Sequence, residues 1–279
     1  MKTSHSLQCG LLAASVVRVP VEVIPELRKK PGPVPAGTLS PAFLKHSDEQ
    51  TVVGLSAVYQ AMESGDLLGK DFSQWGVLGA PRWLGRNTVG AILSRFDVEG
   101  AWGVSPHLIP HRSLHSLSGT ISLALKSQGA NYGVGGSQGL IGETFLSALA
   151  LLKRYDLPGV WAVFTQLDPE FPPIPSGQPV PGSTAVAAAM ALTPWNANSD
   201  LPCVRVHTSM AQSRDNSVPL DSLIVALDRL KNGSPRQVLE LEHGAWLEVT
   251  SPARKADIIN KTIRPPVRWT IGSSVENKQ

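Results

Sequence analysis

The sequence is poor in charge and in cysteine. Only 17% of its 279 residues are Asp, Glu, Lys or Arg, and the formal net charge is +3. So small a positive excess, with no run of Lys and Arg longer than Arg28-Lys29-Lys30, argues against nucleic-acid binding. The two cysteines, Cys9 and Cys203, are too few for a disulfide framework and show no metal-ligand spacing. We therefore expect a protein of the reducing cytoplasm, with no metal, no cofactor and no nucleic-acid partner.

Long hydrophobic runs are also lacking. The apolar run near the N-terminus, Leu11 to Val17, is too short to span a bilayer, and no cleavage site of small residues follows it. The sequence thus predicts neither a membrane span nor a signal peptide. The chain is long enough to bury a sizeable core. We expect a single domain over residues 1–279, with a basic and partly flexible tail over 251–279.

Strand and helix patterns alternate along the chain and predict a layered α/β fold. Strands are predicted over 11–23, 75–84 (ending in a turn), 131–134, 160–167, 185–192 and 203–208, with a hairpin from 238–242 and 245–249. Helices are predicted over 50–62, 87–96, 110–125, 140–154 and 220–231. Residues 169–181 form a proline-rich loop with no regular structure.

The most informative segment is glycine-rich and runs from Gly129 to Glu143. Its pattern predicts a short strand, a sharp turn and then a long apolar helix. Several enzyme classes place a nucleophile on such an elbow, because the turn lifts one side chain above the sheet and the helix N-terminus stabilises negative charge. The candidates for the reactive position are Ser137 and Gln138. The neighbouring candidates for substrate binding are Gly136 and Gly139.

The helix after the elbow carries apolar residues on every face. They are Leu140, Ile141, Phe145, Leu146, Ala148, Leu149, Ala150, Leu151 and Leu152. A helix that lies on one side of a sheet normally keeps a polar stripe, and this one has almost none before Lys153. We therefore expect cover on both sides, either from two sheets or from a partner subunit.

The stretch from Ser105 to Asn131 resembles the N-terminal half of β-ketoacyl synthases. The shared features, in order, are Ser105-Pro106, Pro110, a helix start, Gly119 and Gly129-Ala130-Asn131, with Ala130 in place of the usual Pro. The register runs without a gap and places Gln138 where the family carries its catalytic Cys. The resemblance covers about 11–208 and is clearest over 105–167. It implies a thiolase-like layered α/β fold, with a mixed sheet and a buried helix after the elbow.

The departures from the family pattern shape the expected function. A ketosynthase needs a thiolate at the elbow and two His from the second half of the fold. This elbow has no Cys, the chain is too short for a complete second half, and His243 lacks the flanking pattern of either family histidine. Gln138 at the nucleophile position is similar to the chain-length-factor subunits that pair with active ketosynthases.

An amide cannot be acylated, but it can donate hydrogen bonds to a thioester carbonyl. The resemblance therefore implies a non-catalytic or accessory subunit in fatty-acid, polyketide or aryl-polyene biosynthesis. It would contact an acyl carrier protein or acyl thioester, and it would form a homodimer or a heterodimer with a ketosynthase. Alternatively, Gln138 only caps the start of the helix.

A serine-hydrolase reading stays open at this point. The segment Gly135-Gly136-Ser137-Gln138-Gly139 matches the G-x-S-x-G pattern of α/β-hydrolases. Asp168 and then His207 or His243 follow in the order Ser, acid, His, so Ser137 would be the nucleophile. Against this reading, no HGG-type oxyanion loop precedes the segment.

Two further patterns do not lead to a function. The glycine-rich turn does not follow the first strand, as in a short-chain dehydrogenase, and no Tyr is followed four residues later by Lys. His107, His111 and His115 are spaced like metal ligands. Pro110 interrupts the first interval and the segment contains no acidic residue, so no metal site is predicted.

Overall fold

A computed structural model describes residues 5–29, 33–34, 37–38, 40, 42–105, 110–135, 139–169, 180–208, 218–241 and 245–251. The strands are β1 (His5–Pro20), β2 (Pro33–Val34), β3 (Gly37–Thr38), β4 (Gly76–Pro81), β5 (Asn131–Gly133), β6 (Val160–Asp168), β7 (Thr184–Pro194), β8 (Cys203–Thr208), β9 (Arg236–Glu240) and β10 (Trp246–Thr250). The helices are α1 (Ile24–Lys29), α2 (Glu49–Ser64), α3 (Arg86–Glu99), α4 (His115–Leu125), α5 (Leu140–Arg154) and α6 (Leu220–Lys231). Two 3-10 turns cover Val21–Val23 and Gly100–Gly103.

Eight of the strands form one mixed sheet in the order β5-β4-β6-β7-β1-β8-β10-β9, and β2 and β3 form a separate ribbon. Strand β4 is parallel to both β5 and β6. The other neighbours in the large sheet are antiparallel. The predicted α/β class with a mixed sheet is confirmed.

The centre of the sheet is made of small residues because helices approach it from both sides. In β7, every residue from Ala185 to Leu192 is fully buried, and five of these eight are Ala. Helix α2 contributes Gly54 at a close approach, where a Cβ atom would lie 3.1 Å from the Thr165 methyl group. Short side chains let the helix axes lie close to the sheet and fill the layer between them without voids.

Each face of the sheet has its own apolar core. On one face, α2 and α4 pack with Trp75, Trp161 and the odd-numbered alanines of β7. On the other face, α5 and α6 share a core with Phe164, Met190 and the inner side of the β9–β10 hairpin. The result is a three-layer arrangement with helices on both sides of the sheet.

The expectation that α5 needs a second sheet or a partner subunit for its cover is wrong. Seven of its nine apolar residues are buried within the chain, while Leu146 is half-buried and Ala150 is exposed. Helix α5 packs on β4, β6, β7, β1 and β8, and its apolar residues share one core with Leu223 and Leu227 of α6 and with the late hairpin. The narrow exposed stripe of α5 is therefore no reason by itself to expect a dimer.

Most of the predicted elements are confirmed, and several boundaries differ, those of β1 and α4 by the most. Strand β1 begins at His5 rather than Leu11 and ends at Pro20. Helix α4 begins at His115 rather than Pro110, because the Ser116 hydroxyl donates to the Pro110 carbonyl (2.7 Å) and closes a turn ahead of the helix. The 170–179 part of the proline-rich loop and the tail after 251 lie outside the described residues. Within the described ranges, no helix has the length and apolar character needed to cross a bilayer.

Candidate functional site

The elbow leaves the sheet at the carboxyl ends of the parallel strands. Strand β5 lies at the edge beside β4, and the Val134 amide donates to the Gly79 carbonyl (2.7 Å) just before the turn. Helix α5 begins at Leu140, preceded by Gly139 with φ of 94°, a left-handed value that favours glycine. The predicted sequence of strand, turn and helix is confirmed where the structure describes it.

The tip of the elbow lies outside the described residues. Gly136, Ser137 and Gln138 are the three positions concerned, so their catalytic and substrate-binding roles stay predictions. Gly139 is described and serves as the cap of α5, since the Glu143 amide donates to its carbonyl (2.9 Å).

Glycines let the elbow pack tightly against the start of α4. A Cβ atom on Gly133 would overlap the Leu114 carbonyl and lie 2.9 Å from the His115 amide nitrogen. A Cβ atom on Gly135 would lie 2.9 Å from the Pro81 carbonyl oxygen. Backbone atoms cannot move aside as a side-chain end can, so these glycines fix the distance between β5, β4 and the α4 start.

A buried polar network lies behind the elbow, at the ends of β4 and β6. The Thr165 hydroxyl donates to Gln50 Oε1 (2.9 Å), and Gln50 Nε2 donates to the Arg82 carbonyl (2.8 Å). Both Gln50 and Thr165 are buried. The network holds the first turn of α2 against the carboxyl ends of two neighbouring strands. Sequence reasoning missed it, although a Gln at the start of an apolar helix was a possible signal.

Replacing Thr165 by Val is expected to lower the free energy of unfolding by about 1–2 kcal/mol, because Gln50 Oε1 loses its donor while remaining buried. The two side chains have nearly the same shape, so the change isolates the hydrogen bond. Urea denaturation followed by circular dichroism measures the effect. Thr165→Ser, which keeps the hydroxyl, is the control and should retain more of the stability than Val does. Equal stability of Thr165→Val and the unsubstituted protein would contradict the described network.

An ion pair anchors the segment that leads into α4. The Asp48 carboxylate accepts from the Gln50 amide (2.8 Å) as the cap of α2, and Arg112 Nη1 lies 3.3 Å from Asp48 Oδ2. Burial raises the pKa of the Asp48 carboxyl to about 6, with Glu49 acting in the same direction and Arg112 opposing it. The ion pair holds Arg112 near α2, two residues before Leu114, whose carbonyl lies against Gly133.

The three spaced histidines do not assemble into a metal site among the described residues. His107 lies outside them, and His111 has its ring 5.8 Å from the ring of His46. Burial lowers the pKa of His111, and His46 and Arg112 act in the same direction. Across the described part of the chain, no group of three or more His, Cys, Asp or Glu side chains could hold a metal ion.

The two cysteines lie far from the elbow. Cys9 is in β1 and Cys203 is in β8, and both are buried. Burial raises the pKa of the Cys9 thiol to about 12, and it also raises the pKa of Cys203. Neither thiol is therefore a thiolate near neutral pH, and neither is placed to act at the turn before α5.

The strand register places His207 far from β5, the strand that leads into the elbow. Strand β8 is five strand spacings from β5, which is about 24 Å across the sheet. When the register partners are followed from strand to strand, Gly133 of β5 lies at the same height as Ser15 of β1. His207 pairs with Ser6 of β1, which is about 30 Å away from Ser15 along the strand direction. A Ser137–Asp168–His207 triad does not fit this separation of β5 and His207, while Ser137 itself lies outside the described residues. His243 lies outside the described residues, and the strands that flank it, β9 and β10, are farther from β5 still.

His207 instead belongs to a polar cluster on the far strands. Its Nε2 atom lies 3.1 Å from Glu248 Oε2, and its ring stacks on Trp246 with centroids 4.8 Å apart. Arg236 Nε donates to the other Glu248 oxygen (2.5 Å). Burial tends to raise the pKa of Glu248, but the hydrogen bonds from His207 and Arg236 outweigh it and lower that pKa. These contacts bind β8, β9 and β10 together.

The outer edge of β5 carries no strand within the described part of the chain. The strand is uncharged, Tyr132 is 49% exposed, and Asn131 Oδ1 is buried without a hydrogen-bond partner in the described structure. At the opposite edge, β9 exposes Arg236 and Glu240. Charges of this kind discourage strand pairing, so of the two edges that the described residues form, β5 is the better suited to pairing with a second chain.

Neither a known family nor a curated protein matches the sequence. Solved structures do match. One is a ketosynthase (ApeO) in complex with its chain length factor (ApeC) from Xenorhabdus doucetiae, with 14% identity and a TM-score of 0.55 over 88% of this chain and 99% of that chain. Another is the ishigamide ketosynthase/chain length factor, with 16% identity and a TM-score of 0.48 over 80% of this chain and 73% of that one.

The structure from Xenorhabdus doucetiae shares its fold with this protein. At 14% identity the likeness concerns the fold, and it extends over almost all of the matched chain. It agrees with the mixed sheet, the helices on both faces and the buried helix after the elbow. The protein therefore has the thiolase-like fold of ketosynthase and chain-length-factor proteins.

Proposed function

We propose that this protein is an accessory, ketosynthase-like subunit that takes part in acyl-chain assembly without being acylated itself. It pairs with a ketosynthase that keeps the elbow cysteine, and it contacts chains bound to an acyl carrier protein in the cytoplasm. Fatty-acid, polyketide and aryl-polyene pathways all use this chemistry. The observation that carries the proposal is the position of the only two cysteines of the chain, both buried and remote from the elbow.

Chain extension requires a thiolate that accepts the acyl group. Helix α5 begins directly after the elbow, and the positive end of its dipole could bind an acyl carbonyl there. With Gln138 at the tip, the side chain could donate a hydrogen bond to that carbonyl but could not form an ester or thioester. Such a subunit therefore requires a partner subunit whose thiolate performs the acyl transfer.

The open β5 edge supports the pairing. Strand addition at this edge would satisfy its free backbone groups and provide donors near Asn131 Oδ1, the buried acceptor without a partner in the described structure. A stable interface of this kind buries about 1,600 Å² in total. A homodimer through the same edge is the competing outcome.

Intact-protein mass spectrometry tests the chemistry. After incubation with acyl-carrier or acyl-CoA thioesters, the mass of the purified protein is expected to stay unchanged, because the elbow offers no thiolate. A stable acyl adduct would overturn the non-catalytic assignment. If that adduct disappears in Ser137→Ala, or if a fluorophosphonate probe labels Ser137, the nucleophile is the serine.

A Gln138→Cys variant serves as the positive control. A cysteine at the start of α5 is expected to have a lowered pKa, because the helix N-terminus stabilises the thiolate. It should therefore react with iodoacetamide faster than Ser137→Cys does. Equal rates for the two variants would show that Gln138 does not occupy the nucleophile position.

A further inference from the structure

Helix α3 obtains little cover from its own chain. None of its described side chains, residues 89–99, is buried, and its main contact is with the 3-10 turn Gly100–Gly103 that follows it. A helix of 14 residues is only marginally stable in water when no apolar face packs against another element. This helix therefore differs from α2, α4, α5 and α6, each of which buries one side in a core.

One side of α3 is apolar, although Arg95, Asp97 and Glu99 are also exposed on the helix. Val89, Leu93 and Phe96 follow one another at helical spacing and are 41%, 59% and 51% exposed; we call these three residues the α3 face. Trp102, in the turn directly after the helix, is 98% exposed. Large apolar side chains gathered on one helix are typical of a surface that binds another protein.

Contacts within the chain connect the start of α3 to the β5 edge. A Cβ atom on Gly85, the residue before α3, would lie 3.0 Å from the Arg112 carbonyl oxygen. Two residues later, the Leu114 carbonyl lies against Gly133 of β5. The helix thus begins beside the strand that is open to a partner. Leu123 of α4, which packs on β5, is also 70% exposed.

The β5 edge alone is too small for a stable interface. Its three residues span about 10 Å, far less than is needed to bury roughly 800 Å² on each partner. A pairing through this edge requires neighbouring surface, and the α3 face supplies apolar surface where α3 starts beside β5.

We propose that the α3 face binds the same ketosynthase subunit that pairs with the β5 edge. This inference rests on the proposed function, because it assumes that subunit as the occupant. The partner then covers the three α3 residues with apolar surface of its own. In this complex α3 adds buried apolar surface to the interface that the β5 edge forms.

Hydrogen–deuterium exchange tests the contact without any substitution. The protein is compared free and in complex with a ketosynthase from the same organism that keeps the elbow cysteine. Amides of residues 86–99 should exchange at least about tenfold more slowly in the complex. A tenfold change requires only a modest increase in the free energy of local opening of α3. Peptides covering 236–240, at the other edge of the sheet, should not change. Unchanged exchange over 86–99 in a formed complex would overturn the proposal.

Matched variants separate this inference from the pairing itself. Leu93→Glu should weaken binding to the ketosynthase by at least about tenfold, because the charge would have to be buried against apolar surface. Val225→Glu is the control, since Val225 is a 45% exposed residue on α6, and it should change the affinity less than about twofold.

The outcomes are distinguishable. If Tyr132→Asp abolishes binding while Leu93→Glu and the exchange of 86–99 have no effect, the pairing stands and the α3 contact is refuted. If protection of 86–99 appears in the free protein as its concentration rises, the occupant is a second copy of this chain and the proposed occupant is wrong. If no complex with the ketosynthase forms, both the pairing and the α3 contact are refuted.

Discussion

An aspartate at position 132 is expected to abolish binding of this protein to its ketosynthase partner. Tyr132 lies in the middle of β5, the uncharged edge strand, and is 49% exposed. Pairing at this edge would bury the new carboxylate without a cation beside it, which is costly, and the open edge would remain unfilled. The dissociation constant should rise at least about a hundredfold, as for residues at the centre of an interface. Isothermal titration calorimetry measures the change.

Two variants control for this substitution. Tyr132→Phe keeps the ring and should bind nearly as well as the unsubstituted protein. Val238→Asp places the same charge at a 52% exposed position of β9, the opposite edge strand, and should leave binding intact. Equal loss of binding in Val238→Asp and Tyr132→Asp would mean that general destabilisation, rather than the β5 edge, explains the result.

Replacing Gly133 by Ala is expected to lower the free energy of unfolding by about 3–4 kcal/mol, at the upper end of single substitutions. The added methyl group would overlap the Leu114 carbonyl and the His115 amide, which are backbone atoms at the start of α4. Relief of that overlap would require β5 or α4 to move as a unit, and the elbow would lose its close packing against the start of α4. Thermal and urea denaturation of the purified variant measure the loss.

Gly69→Ala is the matched control, because no atom lies within 4 Å of a Cβ placed there. Its stability should stay within about 0.5 kcal/mol of the original protein. A Gly133→Ala variant as stable as Gly69→Ala would show that β5 and α4 are not packed as the structure describes.

The sequence pattern predicted the local features of the site. It could not predict the contacts between residues that lie far apart in the chain. The elbow was predictable because strand, glycine turn and helix follow one another within residues 131–154. The burial of α5 was also predictable from its apolar residues, but the source of its cover was not. Helix α5 lies on the sheet in a core that it shares with α6, whose amphipathic pattern was recognised at 220–231 without any sign of which core it would join. Local periodicity gives the buried side of an element and says nothing about its partner.

The polar contacts around the site were beyond sequence reasoning for the same physical reason. Gln50 and Thr165 are 115 positions apart, and only the sheet order brings their side chains within hydrogen-bonding distance. The start of α4 was misplaced because a side-chain hydrogen bond from Ser116 to Pro110 competes with helix formation at 110–114. Pro110 is compatible with a first helical turn, but this local hydrogen bond closes a different turn, so here the reason was not a contact between distant residues.

The central claim is that this protein pairs with a ketosynthase and carries no acyl group itself. Native mass spectrometry of the two co-expressed chains, recorded before and after addition of an acyl thioester, tests both parts in one experiment. The account predicts a one-to-one complex in which only the ketosynthase gains the acyl mass. An acyl mass on this chain, or a monomer that stays separate from the ketosynthase, would contradict it.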